Sequence, residues 1–264
     1  MPFRLFALFL AGCAVLATLA VAESTQCAYP VVIVPDGRTT QSTFPQSTTY
    51  WYAIYAQAGH SYSVEFVPPA DNYLNGVHPQ FGLLSVYGPN DLQGCRGSST
   101  VTATPNSAYS PTLQKSGISG NGVGRRVSFT AQSPGLYSIP VTNAGGAGGY
   151  SFRAVDTTLF NPRWNTMSGY DIQWIIMNMS DMPITGTLTV VDMNGQVITA
   201  AQVSIPAGGR ATRNSGTSDL NLPRDIAGCA MLAHNGPPNS LLGEAFMISA
   251  TATLPEKFET VAGH

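Results

Sequence analysis

Charge is scarce in this chain of 264 residues: Asp, Glu, Lys and Arg together make up 10 % of it. The formal net charge is −2. With no basic surplus there is no electrostatic footprint for nucleic acid, and with no acidic tail there is no address for a charged partner. Cysteine is also sparse, at four residues, and no C-x-x-C pair occurs, which removes a zinc ribbon and a thioredoxin-type motif. Beyond the N-terminal segment no helical period is sustained over a dozen residues, which argues against a helical architecture. The G-x-S-x-G elbow of an α/β-hydrolase and the H-E-x-x-H helix of a zincin are both missing.

What is present is apolar and turn-rich. Hydrophobic residues reach 44 %, with 27 Gly and 19 Pro. Together with abundant Thr, Ser, Val and Tyr, this composition predicts an all-β extracytoplasmic protein. The N-terminus carries Arg4, an apolar run from Leu5 to Val21 and Ala20-Val21-Ala22 before Glu23. One positive charge, an apolar centre and an A-x-A site predict a secretory signal peptide over residues 1–22. Leu10-Ala11-Gly12-Cys13 offers a second route, lipoprotein anchoring through Cys13. The apolar run continues well past Cys13, so cleavage after Ala22 is the favoured expectation. With no stop-transfer segment after the run, no membrane span is expected once the leader is gone.

Three cysteines remain after that cleavage. In an oxidising compartment Cys27 and Cys95, both in the first half, are the expected disulfide. Closing that loop would contribute roughly 4 kcal/mol in the chain-entropy picture. Cys229 lies in the apolar run Gly228–Ala233 and is expected as a buried free thiol.

The first half alternates. Val31 to Val34 is a short strand stopped by Pro35-Asp36-Gly37, and residues 38–49 are expected as loop. Tyr50 to Ala56 is apolar on both faces, as in a central strand. Ser61 to Val67 sets Tyr62, Val64 and Phe66 against Ser61, Ser63 and Glu65. Phe81 to Tyr87 is a further expected strand, Ser99 to Ala103 an edge strand, and Arg126 to Ala131 another strand. Gly135 to Val141, a glycine-rich loop and Tyr150 to Ala154 then form an expected β-hairpin. The loop glycines serve turning, since no helix N-terminus follows them to cradle a phosphate.

Asp156-Thr157-Thr158 is the expected joint to a second unit. There Ile172, Trp174 and Ile176 alternate with Gln173, Ile175 and Met177. Leu188 and Val190 are expected inward. Asn194-Gly195 is a strong hairpin signal of type I′. Gln196 to Ile205 is its partner strand, residues 210–226 a polar loop, and Gly228 to His234 and Leu241 to Ser249 two more strands. Residues 255–264 carry little order signal and are expected as a flexible tail. The domains expected are 27–156 and 158–254. The fold class is all-β, two β-sandwich domains in tandem, jelly-roll-like and then immunoglobulin-like.

Tyr52-Ala-Ile-Tyr-Ala-Gln-Ala-Gly-His-Ser-Tyr-Ser-Val-Glu65, with Gly135-Leu-Tyr-Ser-Ile-Pro-Val-Thr-Asn143 and Gly149-Tyr-Ser-Phe-Arg153, resembles the bacterial pre-peptidase C-terminal domain family over about residues 45–156. The resemblance implies a jelly-roll sandwich of the kind attached to secreted enzymes and surface proteins, generally without catalysis. The family's usual acidic strand is replaced by Gln80-Phe-Gly-Leu-Leu84. Cys229 to Phe246 resembles β-modules of uncharacterised bacterial secreted proteins.

Candidate functional residues are few. His60 and His78 are expected as solvent-exposed turn residues, and their spacing with His234 shows no metal pattern. Asp71-Asn72, Asn90-Asp91 and Asp192-Met193-Asn194 are explained by turn chemistry rather than calcium. Arg210, Arg213 and Arg224 are expected as solvated loop residues. A candidate ligand surface comprises Tyr50, Tyr52 and Tyr73 as exposed rings, with His234 and Glu244 at a stiff loop. No catalytic, cofactor or metal residues are assigned. The expected role is a secreted or periplasmic, non-catalytic binding or structural module at the cell surface or in the matrix, with an extracellular protein or polysaccharide as partner. A carbohydrate-binding accessory module is the alternative, and an extracellular hydrolase with an unrecognised site a remote one.

Overall fold

A computed structural model describes residues 23–45, 47–67, 84–89, 103–109, 124–143 and 145–260. The leader, Cys13, Tyr73, His78 and Cys95 lie outside them, as do Asp71-Asn72 and Asn90-Asp91. The described chain is all-β. Its strands in order are β1 (Val31–Val32), β2 (Thr40–Phe44), β3 (Thr49–Ala56), β4 (Ser61–Val67), β5 (Ala103–Tyr109), β6 (Gly124–Thr130), β7 (Gly135–Thr142) and β8 (Gly148–Asp156). These are followed by β9 (Leu159–Asn165), β10 (Asp171–Asn178), β11 (Ile184–Asp192), β12 (Val197–Ile205), β13 (Arg210–Asn214), β14 (Ala227–His234), β15 (Leu241–Ile248), β16 (Thr253–Lys257) and β17 (Glu259–Thr260). No helix among the described residues is long and apolar enough to cross a membrane.

Two β-sandwiches result. In the first, a three-stranded sheet (β1-β3-β7) faces a five-stranded one (β2-β8-β4-β6-β5). The alternating positions of β3, Tyr52 and Ile54, meet Phe66 and Phe152 of the opposite sheet, with Tyr52 ring centroids 5.2 and 4.8 Å from theirs. In the second, β13-β10-β15-β16 faces β12-β11-β14-β9-β17. Its core is mostly aliphatic around Trp164 and Trp174, and the Trp174 indole N–H crosses between sheets to Asn161 Oδ1 at 3.0 Å. Each sheet's inward face is the apolar half of a period-two pattern, the arrangement that removes that half from water.

Several expectations change. The strands β7 and β8 do not form a hairpin: β7 pairs with β3 and β8 with β2 and β4, so the glycine-rich loop crosses from one sheet to the other. Alternation gave both strands correctly, but it cannot tell a hairpin from a crossing over the sandwich's end. Residues 38–49 are not all loop, because Thr40–Phe44 pairs along β8 and buries Phe44. Leu84 to Val86 forms no strand; only Tyr87 makes a bridge, to Ser138. Of the expected edge strand Ser99 to Ala103, residues 99–102 lie outside the described residues, and Ala103 starts the described strand Ala103–Tyr109. Residues 210–214 are a strand against β10, not loop. The start of the expected flexible tail is ordered: β16 pairs with β15, β17 pairs with β9, and Phe258 packs into the second core. Phe258 fits because residue 243 opposite it is glycine, where a Cβ would stand 2.4 Å from the ring.

The β11–β12 hairpin forms at Asn194-Gly195, but its turn differs from type I′. Only Gly195 has a positive φ (79°), and its N–H donates to Asp192 O at 3.1 Å. That is a four-residue turn closed by a left-handed glycine, with the register slip of a bulge just behind it.

Cys27 is disulfide-bonded, and Cys229 is a free, half-buried thiol whose pKa burial raises.

Candidate functional site

The chain passes from one sandwich to the next in two residues, and His60 and His234 converge there. Asp156 ends β8, Leu159 begins β9, and Thr157 and Thr158 between them are buried. His60 is not a solvent-exposed turn residue. It is buried, with Nδ1 2.7 Å from Asp156 Oδ2. The other Asp156 oxygen accepts from the Thr158 N–H at 3.0 Å. Thr158 Oγ1 accepts from the Ser61 N–H at 2.9 Å, and the Thr157 hydroxyl donates to Ser61 O at 3.1 Å. Short polar side chains at 156–158 satisfy the connector's own backbone, which would otherwise be buried unpaired.

His234, at the end of β14, reaches the same connector from the second sandwich. Its Nε2–H donates to Thr157 O at 2.8 Å, and Nδ1 accepts from the Gly236 N–H at 3.1 Å. Both ring nitrogens are therefore engaged by backbone in a neutral imidazole. Burial pushes its pKa down to about 4, against upward pulls from the Thr157 carbonyl and from Asp156. Glu244, expected near it, stands on β15 of the opposite sheet, exposed on that sheet's outer face. The structure does not bring the two together, because β14 and β15 belong to different layers.

The tyrosines are also reassigned. Tyr50 and Tyr52 are buried on the inward face of β3, and the ring presented to solvent is Tyr55, 66 % exposed. The register decides this: Tyr50, Tyr52 and Ile54 share one face, Tyr55 the other. Beside it runs β1, parallel, with Val32 opposite Ala53. Val32 and Val34 are 47 and 58 % exposed, and continuing this register sets Val34 next to Tyr55. The result is an apolar patch on the outer edge of the three-stranded sheet.

Two buried polar clusters escaped sequence reasoning. Glu23 inserts its carboxylate at the end of the first sandwich. It accepts from the Tyr52 hydroxyl at 2.5 Å, the Tyr150 hydroxyl at 2.8 Å and the Ser42 hydroxyl, and the two tyrosine hydroxyls also bond each other. Desolvation raises the Glu23 pKa against the lowering by both tyrosines, and burial raises both tyrosine pKa values strongly. On the outward face of β4, buried Glu65 lies between Arg126 of β6 and Arg153 of β8 in the cross-strand register. Arg153 Nε is 2.6 Å from Glu65 Oε2, while buried Oε1 has no hydrogen-bond partner. The only sequence signal for this pair was a charge at an alternating position otherwise held by serines.

The remaining candidates have local roles. Arg224 pairs with Asp171 at 2.7 Å, and Arg213 donates to Gln202 O at 2.6 Å. Asp192 Oδ1 accepts from the N–H groups of Asn194 and Gln196, both at 2.8 Å, as a turn aspartate does. Among the described residues, no three His, Cys, Asp or Glu side chains come together as a metal site.

No family model matches the chain, and no curated protein matches it. Among solved structures, it is similar to Thermotoga maritima 1070 at 14 % identity and a TM-score of 0.33, over 41 % of this chain and 97 % of that one. It is also similar to the extracellular region of zebrafish Gpr126/Adgrg6, at 10 % identity and a TM-score of 0.24, and to a family 2 glycosyl hydrolase from Bacteroides cellulosilyticus, at 11 % and 0.20. It covers 90 and 83 % of itself in these two matches but only 30 and 28 % of the other chains.

Proposed function

We propose that this chain is a non-catalytic binding or structural module that works outside the cytoplasm, with a first sandwich of the pre-peptidase C-terminal type. The observation that carries the reading is the patch of Val32, Val34 and Tyr55, an aromatic ring and two valines left in water on a sheet edge. The absence of catalysis is supported by how the histidines are used. A general base needs a nitrogen free to meet a substrate proton. His234, the histidine expected at the ligand surface, has both nitrogens bound to backbone.

A carbohydrate partner is the second reading, favoured by the exposure of Tyr55, an aromatic ring of the kind that stacks on sugars. An array of glycans and matrix proteins, probed with the purified chain and with Tyr55→Ser, tests both. Retention on a protein or glycan spot that Tyr55→Ser loses supports the proposal, and the class of spot chooses between partners. Binding that ignores Tyr55→Ser, or turnover of an immobilised glycan or peptide, overturns it.

A further inference from the structure

The segment Pro30-Val31-Val32-Ile33-Val34-Pro35 runs along the outer side of the three-stranded sheet, and no described strand lies beyond it. Its register against β3 fixes where each main-chain group points. Val31 stands opposite Tyr52 and Val32 opposite Ala53, and the Ile33 N–H donates to Ala53 O at 2.7 Å. Val31 and Ile33 therefore turn their N–H and C=O groups towards β3. In a parallel ladder the alternate residues turn theirs the other way. Pro35 keeps Val34 extended, because a residue before proline is disfavoured in the helical region. The N–H and C=O groups of Val32 and Val34 thus line an open edge, and both side chains are exposed while Ile33 is buried.

Edges of this kind are normally blunted by lysine, an inward charge or a bulge. Residues 24–35 carry no charge, and the β1–β3 register runs without a shift. The flanking charges are already paired, Glu23 with the Tyr52 and Tyr150 hydroxyls and Asp36 with Arg38 at 3.2 Å. Two such edges can therefore meet with no like-charge contact.

We propose that this edge pairs with the same edge of a second copy of the chain, antiparallel about a two-fold axis at Ile33. One register uses every open group: Val32 of each copy stands opposite Val34 of the other, and each pair exchanges two N–H···O=C bonds. Sliding one strand by two residues would set Val34 against Pro30, which has no N–H, or Val32 against Asp36, which already bridges to Val155. The contact is isologous, so it closes at two copies. It fuses two three-stranded sheets into one of six strands and brings the four exposed valines together. The two Tyr55 rings then share one face, about 14 Å apart across three strand spacings. This goes beyond the function proposed above, because the dimer leaves that face open and doubles it. The contact is small, which places it among weak, transient associations.

The test is sedimentation velocity of the purified Cys229→Ser chain, in which no intermolecular disulfide can form through that thiol, from about 10 μM to about 1 mM. The expected result is a monomer–dimer equilibrium in the upper part of that range. Amide NMR signals that shift with concentration should centre on Val31 to Val34. Val32→Lys, an exposed substitution, should weaken the association about tenfold or more, because it puts a charge on the edge of both copies. Adding Val34→Glu in the same chain sets opposite charges at the paired positions and should bring the association back to within about threefold of the parent. Tyr55→Ser should leave it unchanged, so loss of pairing and loss of ligand binding are read separately. The proposal is overturned if the chain stays monomeric throughout, if Val32→Lys associates as the parent does, or if the added Val34→Glu restores nothing.

Discussion

The two sandwiches are built alike and stabilised differently. The first has an aromatic core, with Phe44, Tyr50, Tyr52, Tyr62, Phe66, Phe129, Tyr137, Tyr150 and Phe152 in contact, and it buries Glu65, Arg126, His60 and Asp156. The second is packed from Leu, Ile and Val around two tryptophans, and His234 is its one buried ionisable side chain among the described residues. Apolar packing is insensitive to pH, whereas buried ionisable groups tie stability to proton binding. The contrast implies that the second sandwich, His234 at the joint aside, fails when its packing is cut, and the first when its hydrogen bonds or charges are changed.

The largest effect is expected in the second core. Trp174→Ala removes the biggest buried ring of β10 and its hydrogen bond to Asn161 Oδ1, so it should cost about 3–5 kcal/mol in chemical denaturation. A loss below about 1 kcal/mol would mean that this core repacks and is not the rigid member of the pair.

Next comes the joint. His234 has an ordinary pKa of 6.5 when unfolded and about 4 when folded. The unfolded chain therefore binds more protons between these values. The stability associated with neutral His234 is complete above about pH 6.5 and is lost as the pH falls towards 4, by roughly 3 kcal/mol across the window. His234→Gln, which keeps a donor and an acceptor, should flatten the stability profile between pH 4 and 6.5. An unchanged profile in that variant would place the acid sensitivity elsewhere.

The Glu23 cluster should respond with the opposite sign. Its carboxyl pKa is raised in the folded chain, so its contribution is fully present below the unfolded pKa and is lost as the pH rises through the folded one. Tyr52→Phe and Tyr150→Phe, each removing a hydroxyl that holds the carboxyl pKa down, should cost about 1 kcal/mol apiece above neutral pH and steepen this trend. If both are neutral at every pH, the cluster is not a source of stability. The smallest change should be Gly195→Ala, about 1 kcal/mol or less. Its φ of 79° disfavours a side chain, but a Cβ there would meet no atom within 4 Å.

The alternating sets explain how much of this was legible in the sequence. Tyr62, Val64 and Phe66, or Ile172, Trp174 and Ile176, mark an inward face by period two alone, and the all-β class follows from them. Which strands pair is a long-range property, so β7 and β8 read as a hairpin although they lie in opposite sheets. On β3 both faces are apolar, so period two alone does not orient it, and the structure presents Tyr55 where Tyr50 and Tyr52 are expected outward. Glu23, Tyr52 and Tyr150 meet across as many as 127 residues of chain, and His60, Asp156 and His234 likewise converge from distant turns. No local spacing encodes such meetings.

The central claim is that the exposed sheet edge carries the function while the buried histidines hold the fold. The most direct measurement places Tyr55→Ser and His234→Gln side by side on the same glycan and matrix-protein array, at pH 7.5, with folding of each verified by denaturation. The account predicts that Tyr55→Ser loses binding and that His234→Gln binds as the parent does. Retained binding in Tyr55→Ser together with lost function in a folded His234→Gln would contradict it.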